Sequence, residues 1–87
     1  MAGYNVAYVG NIAFEATTED IKALFEGCEV TRIRLHTDRD TGRSKGYAHV
    51  HFETEAGLDR AVGQFNGASL HGRGVRVSYA QLKKGGV

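Results

Sequence analysis

Two helical stripes set among alternating strands constrain this chain more than any other feature of it. Ile21, Leu24, Phe25 and Cys28 fall at i, i+3, i+4 and i+7, and so do Leu58, Ala61, Val62 and Phe65. That spacing gathers apolar side chains on one side of a 3.6-residue helix. Around the stripes lie four β-rich runs: "VAYVGNI" (Val6 to Ile12), "VTRIRLHT" (Val30 to Thr37), "KGYAHVHF" (Lys45 to Phe52) and "VRVSYA" (Val75 to Ala80). In them apolar and polar residues alternate, the period of a strand with one buried face. The order is βαββαβ. Two helices with one apolar stripe each can cover only one face of a four-stranded sheet. The expected fold is therefore α+β with two layers, the second sheet face left to solvent or a partner.

Local signals agree with this order. Thr17 is placed to cap the first helix with Asp20 three residues on, a short-acid capping box, and Gly27 suits its end. Asn66-Gly67 closes the second helix. "DRDTGRS" is polar, carries Gly42 and reads as the loop of a long hairpin, while "LHGRG" reads as a loop. The length of 87 residues favours one domain. It is expected to span 6–80, with an N-terminal extension at 1–5 and a flexible tail or linker at 81–87. Hydrophobic content of 41% and charged content of 24% exclude disorder over most of the chain. No run approaches 18 apolar residues, and "MAGYNVAY" has no basic region followed by an apolar one, so neither a membrane span nor a secretory signal is expected. Cys28 stands alone and cannot form an internal disulfide, which fits a reducing, intracellular compartment.

The same alternation fills the uncovered face with an unusual set of residues. It presents Tyr8 from the first strand, Arg32, Arg34 and His36 from the second, Tyr47, His49 and His51 from the third, and Arg76 and Ser78 from the fourth. The net charge is only +1, and without Lys83 and Lys84 it is 9 − 10 = −1. The distribution says more. Glu19, Asp20, Glu26, Glu55 and Asp59 fall on the helices, whereas Arg32, Arg34 and Arg76 fall on strands and Arg39, Arg43 and Lys45 in one loop. A local basic face of this kind steers an anionic partner without a high pI. Flat rings stack on unpaired bases for roughly 1–3 kcal/mol each, and guanidinium and ammonium groups meet the phosphates. The face suits single-stranded nucleic acid.

Two of the runs resemble the paired motifs of the RNA recognition motif family. "KGYAHVHF" is similar to its octamer, Lys/Arg-Gly-aromatic-Gly/Ala-aromatic-aliphatic-any-aromatic, and "AYVGNI" to its hexamer, aliphatic-aromatic-aliphatic-any-Asn-Leu. The likeness covers residues 6 to 80, and with "GRGVRVSYA" it extends to nucleolin-type domains and those of translation-initiation RNA-binding factors. It implies a ferredoxin-like fold with strand order 4-1-3-2, which puts the two motifs side by side. It also implies single-stranded RNA as the partner, in RNA processing, ribosome biogenesis or translation, and a nuclear, nucleolar or cytoplasmic setting. Tyr8 and Tyr47 match the stacking aromatics, His49 the third aromatic and Lys45 the phosphate-binding cation, while Asn11 matches a turn residue and Gly46 a glycine that lets the backbone lie flat. Arg34, Arg43, Arg76 and Ser78 join them as contacts to phosphates or base edges. The departures are Ala7 in place of a bulkier aliphatic, Ala13 where proline is common, and His49 in place of Phe or Tyr. With a reference pKa of about 6.5, His49 would gain a cation in acid and bind more tightly at pH 6 than at pH 8.

Other functions find less support. His49 and His51 share a strand face, but zinc needs three or four ligands and His36 would have to converge on them. No carboxylate pair or nucleophile–base group sits on the open face, and "GRSKG" lacks the spacing of a phosphate-binding P-loop. No cofactor, metal or catalytic residue is expected. The principal rival is a protein-interaction module using the helical face of the same fold, and a second is single-stranded DNA binding. The chain is read as a monomer. Tyr4 and Tyr79 are read as packing residues.

Overall fold

Alternation along the chain becomes a two-layer structure because each strand has one row to bury. The protein is described here by a computed structural model covering residues 5–80, with Ser44 by its backbone alone. Its elements are β1 (Val6–Gly10), α1 (Thr18–Leu24), β2 (Val30–Thr37), β3 (Ser44–Phe52), α2 (Glu55–Phe65), β4 (Ser69–Leu70), β5 (Arg73–Gly74) and β6 (Arg76–Tyr79). The main sheet has the order β2-β3-β1-β6, antiparallel throughout. With β6 as the fourth long strand, this is the expected 4-1-3-2 order, and the two motif strands β1 and β3 lie at its centre. The expected tail at 81–87, with Lys83 and Lys84, and Tyr4 of the N-terminal extension fall outside the described residues. Asn5, also assigned to the extension, accepts the Phe52 N–H at 2.8 Å and closes the end of β3.

The buried row consists of Ala7 and Val9 from β1, Ala48, Val50 and Phe52 from β3, and Val77 from β6. The helices lay Ile21, Leu58 and Ala61 on it. Phe25 sits at the centre, fully buried, edge-to-face with Phe52 at 6.0 Å and with Phe65 at 5.4 Å. Such pairs add roughly 0.5–1.5 kcal/mol beyond area burial.

The capping box forms as its spacing predicts. Thr17 Oγ1 accepts the Asp20 N–H at 3.2 Å, and Asp20 Oδ2 accepts the Thr17 N–H at 3.0 Å. The bond from the Thr17 N–H, and after it the bond with His71, holds the Asp20 carboxyl below its ordinary range. The first helix is shorter than its stripe, however. It ends at Leu24 with Phe25 as the C-cap, and Cys28 enters the core from the turn that follows. Burial pushes the Cys28 thiol up and keeps it protonated.

"LHGRG" is not a plain loop. Ser69–Leu70 pairs with Arg73–Gly74 in a small hairpin of its own. Its turn residues His71 and Gly72 have φ of 52° and 80°, positive at both central positions as in a type I′ turn. The usual signal for that turn is Asn-Gly or Asp-Gly, and His-Gly hides it. Tertiary bonds hold the hairpin in place. His71 Nε2 lies 2.8 Å from Asp20 Oδ2, Asn11 Nδ2 donates to the Gly74 carbonyl at 2.9 Å, and Arg73 donates to Asn11 Oδ1 at 2.8 Å. Asn11, with φ of 58°, is thus the structural turn residue expected of it.

Candidate nucleic-acid interface

The face opposite the helices assembles its rings through strand register. Tyr8 on β1 lies opposite His49 of β3 and Ser78 of β6, while Gly10 lies opposite Tyr47 and Arg76. Tyr8 and Tyr47 are therefore diagonal neighbours, with ring centroids 6.0 Å apart and planes inclined by 28°. His49 meets Tyr8 edge-on at 6.0 Å. Tyr8 is 36% exposed, and Tyr47 and His49 are half-buried.

Gly10 lets the first ring lie flat. A Cβ at this position would meet Tyr8 Oη at 2.8 Å and Cε2 at 2.9 Å, so the tyrosine rests where a side chain would otherwise stand. The obstructing atoms are the far end of a flexible side chain, so Gly10→Ala is expected to fold with nearly unchanged stability while lifting Tyr8 from the platform. Its affinity for single-stranded RNA should fall at least about fivefold, the low end of one stacked base. A urea-unfolding midpoint and a binding isotherm on the same sample separate the two effects.

Gly46 serves the other motif strand. Its φ of 96° is left-handed, and its carbonyl accepts the Ile12 N–H at 2.9 Å. This ties the end of β1 to β3 beside Tyr47.

His36 has a closer role than its place in the row suggested. The β2–β3 register shifts between Leu35 and Thr37, and the His36 ring stacks on Tyr47 at 4.7 Å with a 24° inclination. Its Nε2 lies 3.0 Å from His49 Nδ1. A base that stacks on that side of Tyr47 has to displace His36. The two imidazoles do converge, as a metal site would require, but among the described residues no group of three or more His, Cys, Asp or Glu is placed to hold an ion.

The cations divide into groups. Arg34 pairs in register with His49, and Arg32 with His51, along the β2 side. Arg76 and Ser78 stand exposed on the β6 side. Arg43 and Lys45 stand at the mouth of the β2–β3 hairpin and line an open cleft with Phe14, Asp38, Thr41 and Tyr47. Phe14, 57% exposed in the β1–α1 loop, has no periodic pattern around it and sequence reasoning passed it over. Tyr79, read as a packing residue, is 49% exposed and lies on the helical side, where it donates to Asp59 Oδ1 at 2.7 Å.

Burial, followed by the charges of His36, His51 and Arg34, holds His49 below the ordinary imidazole value of 6.5. His51 is lowered too, by burial and then by Arg32 and Arg34. At pH 6 His49 is thus less protonated than a free imidazole, and the acid gain in binding expected from it moves to lower pH. The effect on folding has a definite sign. Both folded-state values are depressed, so their contribution to stability is full above about pH 6.5 and is lost as pH falls through the folded values. The thermal midpoint should drop between pH 7.5 and pH 5.5, and drop less in His49→Phe/His51→Thr. Equal drops would contradict this assignment.

The chain matches the family model described as RNA recognition motif over residues 7–76. It belongs to the RNA recognition motif family. A relative from Nostoc sp., named as the RNA-binding protein RbpD, is 44% identical over 78 residues, covering 88% of this chain and 83% of its own. The chloroplastic 28 kDa ribonucleoprotein of Spinacia oleracea is 37% identical over 75 residues, which cover 85% of this chain and 32% of that longer protein. Among solved structures, the Rna15 RNA recognition motif with bound RNA (GU) superposes with a TM-score of 0.80 at 33% identity, over 88% of this chain and 83% of that one. These likenesses place the chain in the ferredoxin-like α+β fold of the family.

Proposed function

We propose that this RNA recognition motif domain binds single-stranded RNA across β1 and β3, with Tyr8 and Tyr47 stacking on two neighbouring bases. The observation that carries the reading is the pair of near-parallel tyrosines on the open sheet face, 6.0 Å apart on the central strands, set between cations on both flanks. His49 packs between them on sugar or base. Arg34, Lys45, Arg43, Arg76 and Ser78 meet phosphates or base edges. The names of the Nostoc relative and of the RNA-bound neighbour support RNA over DNA.

The large exposed apolar residues among those described are Tyr8, Phe14 and Tyr79, none of them on α1 or α2. Of the three, Tyr79 alone lies toward the helices, with its hydroxyl bonded to Asp59, so a docking surface for a protein partner on the helical side gains little support from that distribution. No helix among the described residues is long and apolar enough to cross a membrane. A role in RNA processing, ribosome biogenesis or translation accords with this reading. Relatives with bacterial and chloroplastic names support prokaryotic or organellar settings beside the nuclear or cytoplasmic one expected from the sequence. The finer likeness to nucleolin-type and translation-initiation factors is not needed for the proposal.

The test is a titration of mixed-sequence single-stranded RNA into wild type and Tyr8→Ala/Tyr47→Ala at two salt concentrations. Wild type should bind, with affinity falling as salt rises, and the variant should lose most of that affinity. Equal binding by both would contradict the platform.

A further inference from the structure

We infer that the His36 imidazole is a built-in competitor for the stacking face of Tyr47. In the free protein it stands where a base would lie, a bound nucleotide displaces it, and its hold keeps RNA affinity below that of the bare platform. The inference rests on the platform reading above and adds to it a residue that works against binding.

The contact comes from strand register. Leu35 pairs with Ala48 and Thr37 with Ser44. Between these pairs β2 has one residue, His36, where β3 has three, Lys45, Gly46 and Tyr47. Gly46 takes up the excess with its φ of 96°, a conformation open to glycine. An irregularity of this kind re-aims side chains. Here it lays His36 against Tyr47, with ring centroids 4.7 Å apart and planes 24° from parallel. Tyr8 is also near-parallel to Tyr47, but its centroid is 6.0 Å away. Among the described residues His36 is thus the closest ring to Tyr47, and Tyr47 is half-buried where Tyr8 is exposed.

A second contact fixes the ring. His36 Nε2 lies 3.0 Å from His49 Nδ1, and the two imidazoles meet edge-on at 5.1 Å. Such a bond needs one imidazole to donate and the other to accept. The groups facing the pair are Tyr47 and His51 on β3, Tyr8 on β1 and Arg34 on β2. Burial first, then the neighbouring positive charges, holds His49 below its ordinary value, so near pH 7 it is neutral and the pair keeps its acceptor. A stack and a hydrogen bond therefore pin His36 in place. A base that enters breaks both before it gains its own stack. The observed affinity is the intrinsic one multiplied by the fraction of molecules whose Tyr47 face is open. A residue that touched the RNA would have the opposite effect when removed, so the sign of one substitution separates the two roles.

The test is His36→Thr, which removes the ring and keeps a residue suited to a strand. Its affinity for mixed-sequence single-stranded RNA hexanucleotides should rise about 2- to 12-fold over wild type, the fold-change of one aromatic pair. A second measurement uses wild type alone. The His36 ring protons lie against the Tyr47 ring and are shielded by its ring current, and they should move to unshielded positions as the hexanucleotide is added to saturation. Unchanged or weaker binding by His36→Thr would overturn the competitor, and so would His36 protons that stay shielded at saturation. Tyr8→Ala/Tyr47→Ala distinguishes this failure from that of the platform. If it loses binding while His36→Thr gains none, the platform stands and the competitor falls. If it binds as wild type does, both readings fall.

Discussion

Tyr8→Ala/Tyr47→Ala is expected to bind single-stranded RNA at least about thirtyfold more weakly than wild type. Each stacked base contributes roughly 1–3 kcal/mol, so losing two costs about 2–6 kcal/mol, and the lower figure alone is about thirtyfold in Kd. The rings are a surface feature. They pack on each other and on His49 and His36 rather than in the core, so their truncation should leave the urea midpoint close to that of wild type. The single variants should differ from each other. Tyr47→Ala also frees His36, whose ring can then offer a partial replacement surface, whereas Tyr8 has no such substitute in contact with it beyond His49. Tyr8→Ala should therefore be the more damaging of the two. A fluorescence-anisotropy titration of the three variants at one salt concentration checks the order.

Phe25→Ala is expected to leave a large share of the protein unfolded near 37 °C. Phe→Ala in a core costs about 3–5 kcal/mol, and Phe25 is fully buried with two edge-to-face partners, which places it at the upper end. A chain of this size has about 4–13 kcal/mol in total, so the loss is a third of the total or more. Phe25→Leu keeps most of the volume and should cost much less. Because Phe25 lies on the far side of the sheet from the rings, Phe25→Leu should retain wild-type RNA affinity where it is folded. A urea denaturation followed by circular dichroism gives the first result, and the same binding assay gives the second.

The fold was legible because its two periods are strict. Ile21 and Phe25, Leu58 and Ala61, and the Ala48–Val50–Phe52 row each repeat at the period of their element, and burial follows that period. Tyr8, Tyr47 and His49 were legible for the same reason, since they occupy the alternate row. What escaped depended on geometry that no period encodes. The register shift that brings His36 onto Tyr47 leaves no local mark in the residues. Gly10 reads as the stop of a strand, and only the path of the Tyr8 ring shows why a glycine is needed there. Phe14 sits in a loop, where an apolar residue has no partner at a fixed spacing to reveal its direction. The β4–β5 hairpin was hidden by a histidine at a turn position that Asn or Asp usually fills.

The central claim, that RNA lies on the β1–β3 face and not on the helices, is tested most directly by mapping backbone amide shifts as single-stranded RNA is added. The largest changes are predicted at Tyr8, Gly10, Tyr47 and His49, with further changes toward Arg34 and Arg76 and little at Leu58, Ala61 and Val62. Changes concentrated on α1 and α2, with the Tyr8 and Tyr47 amides unmoved at saturation, would contradict it.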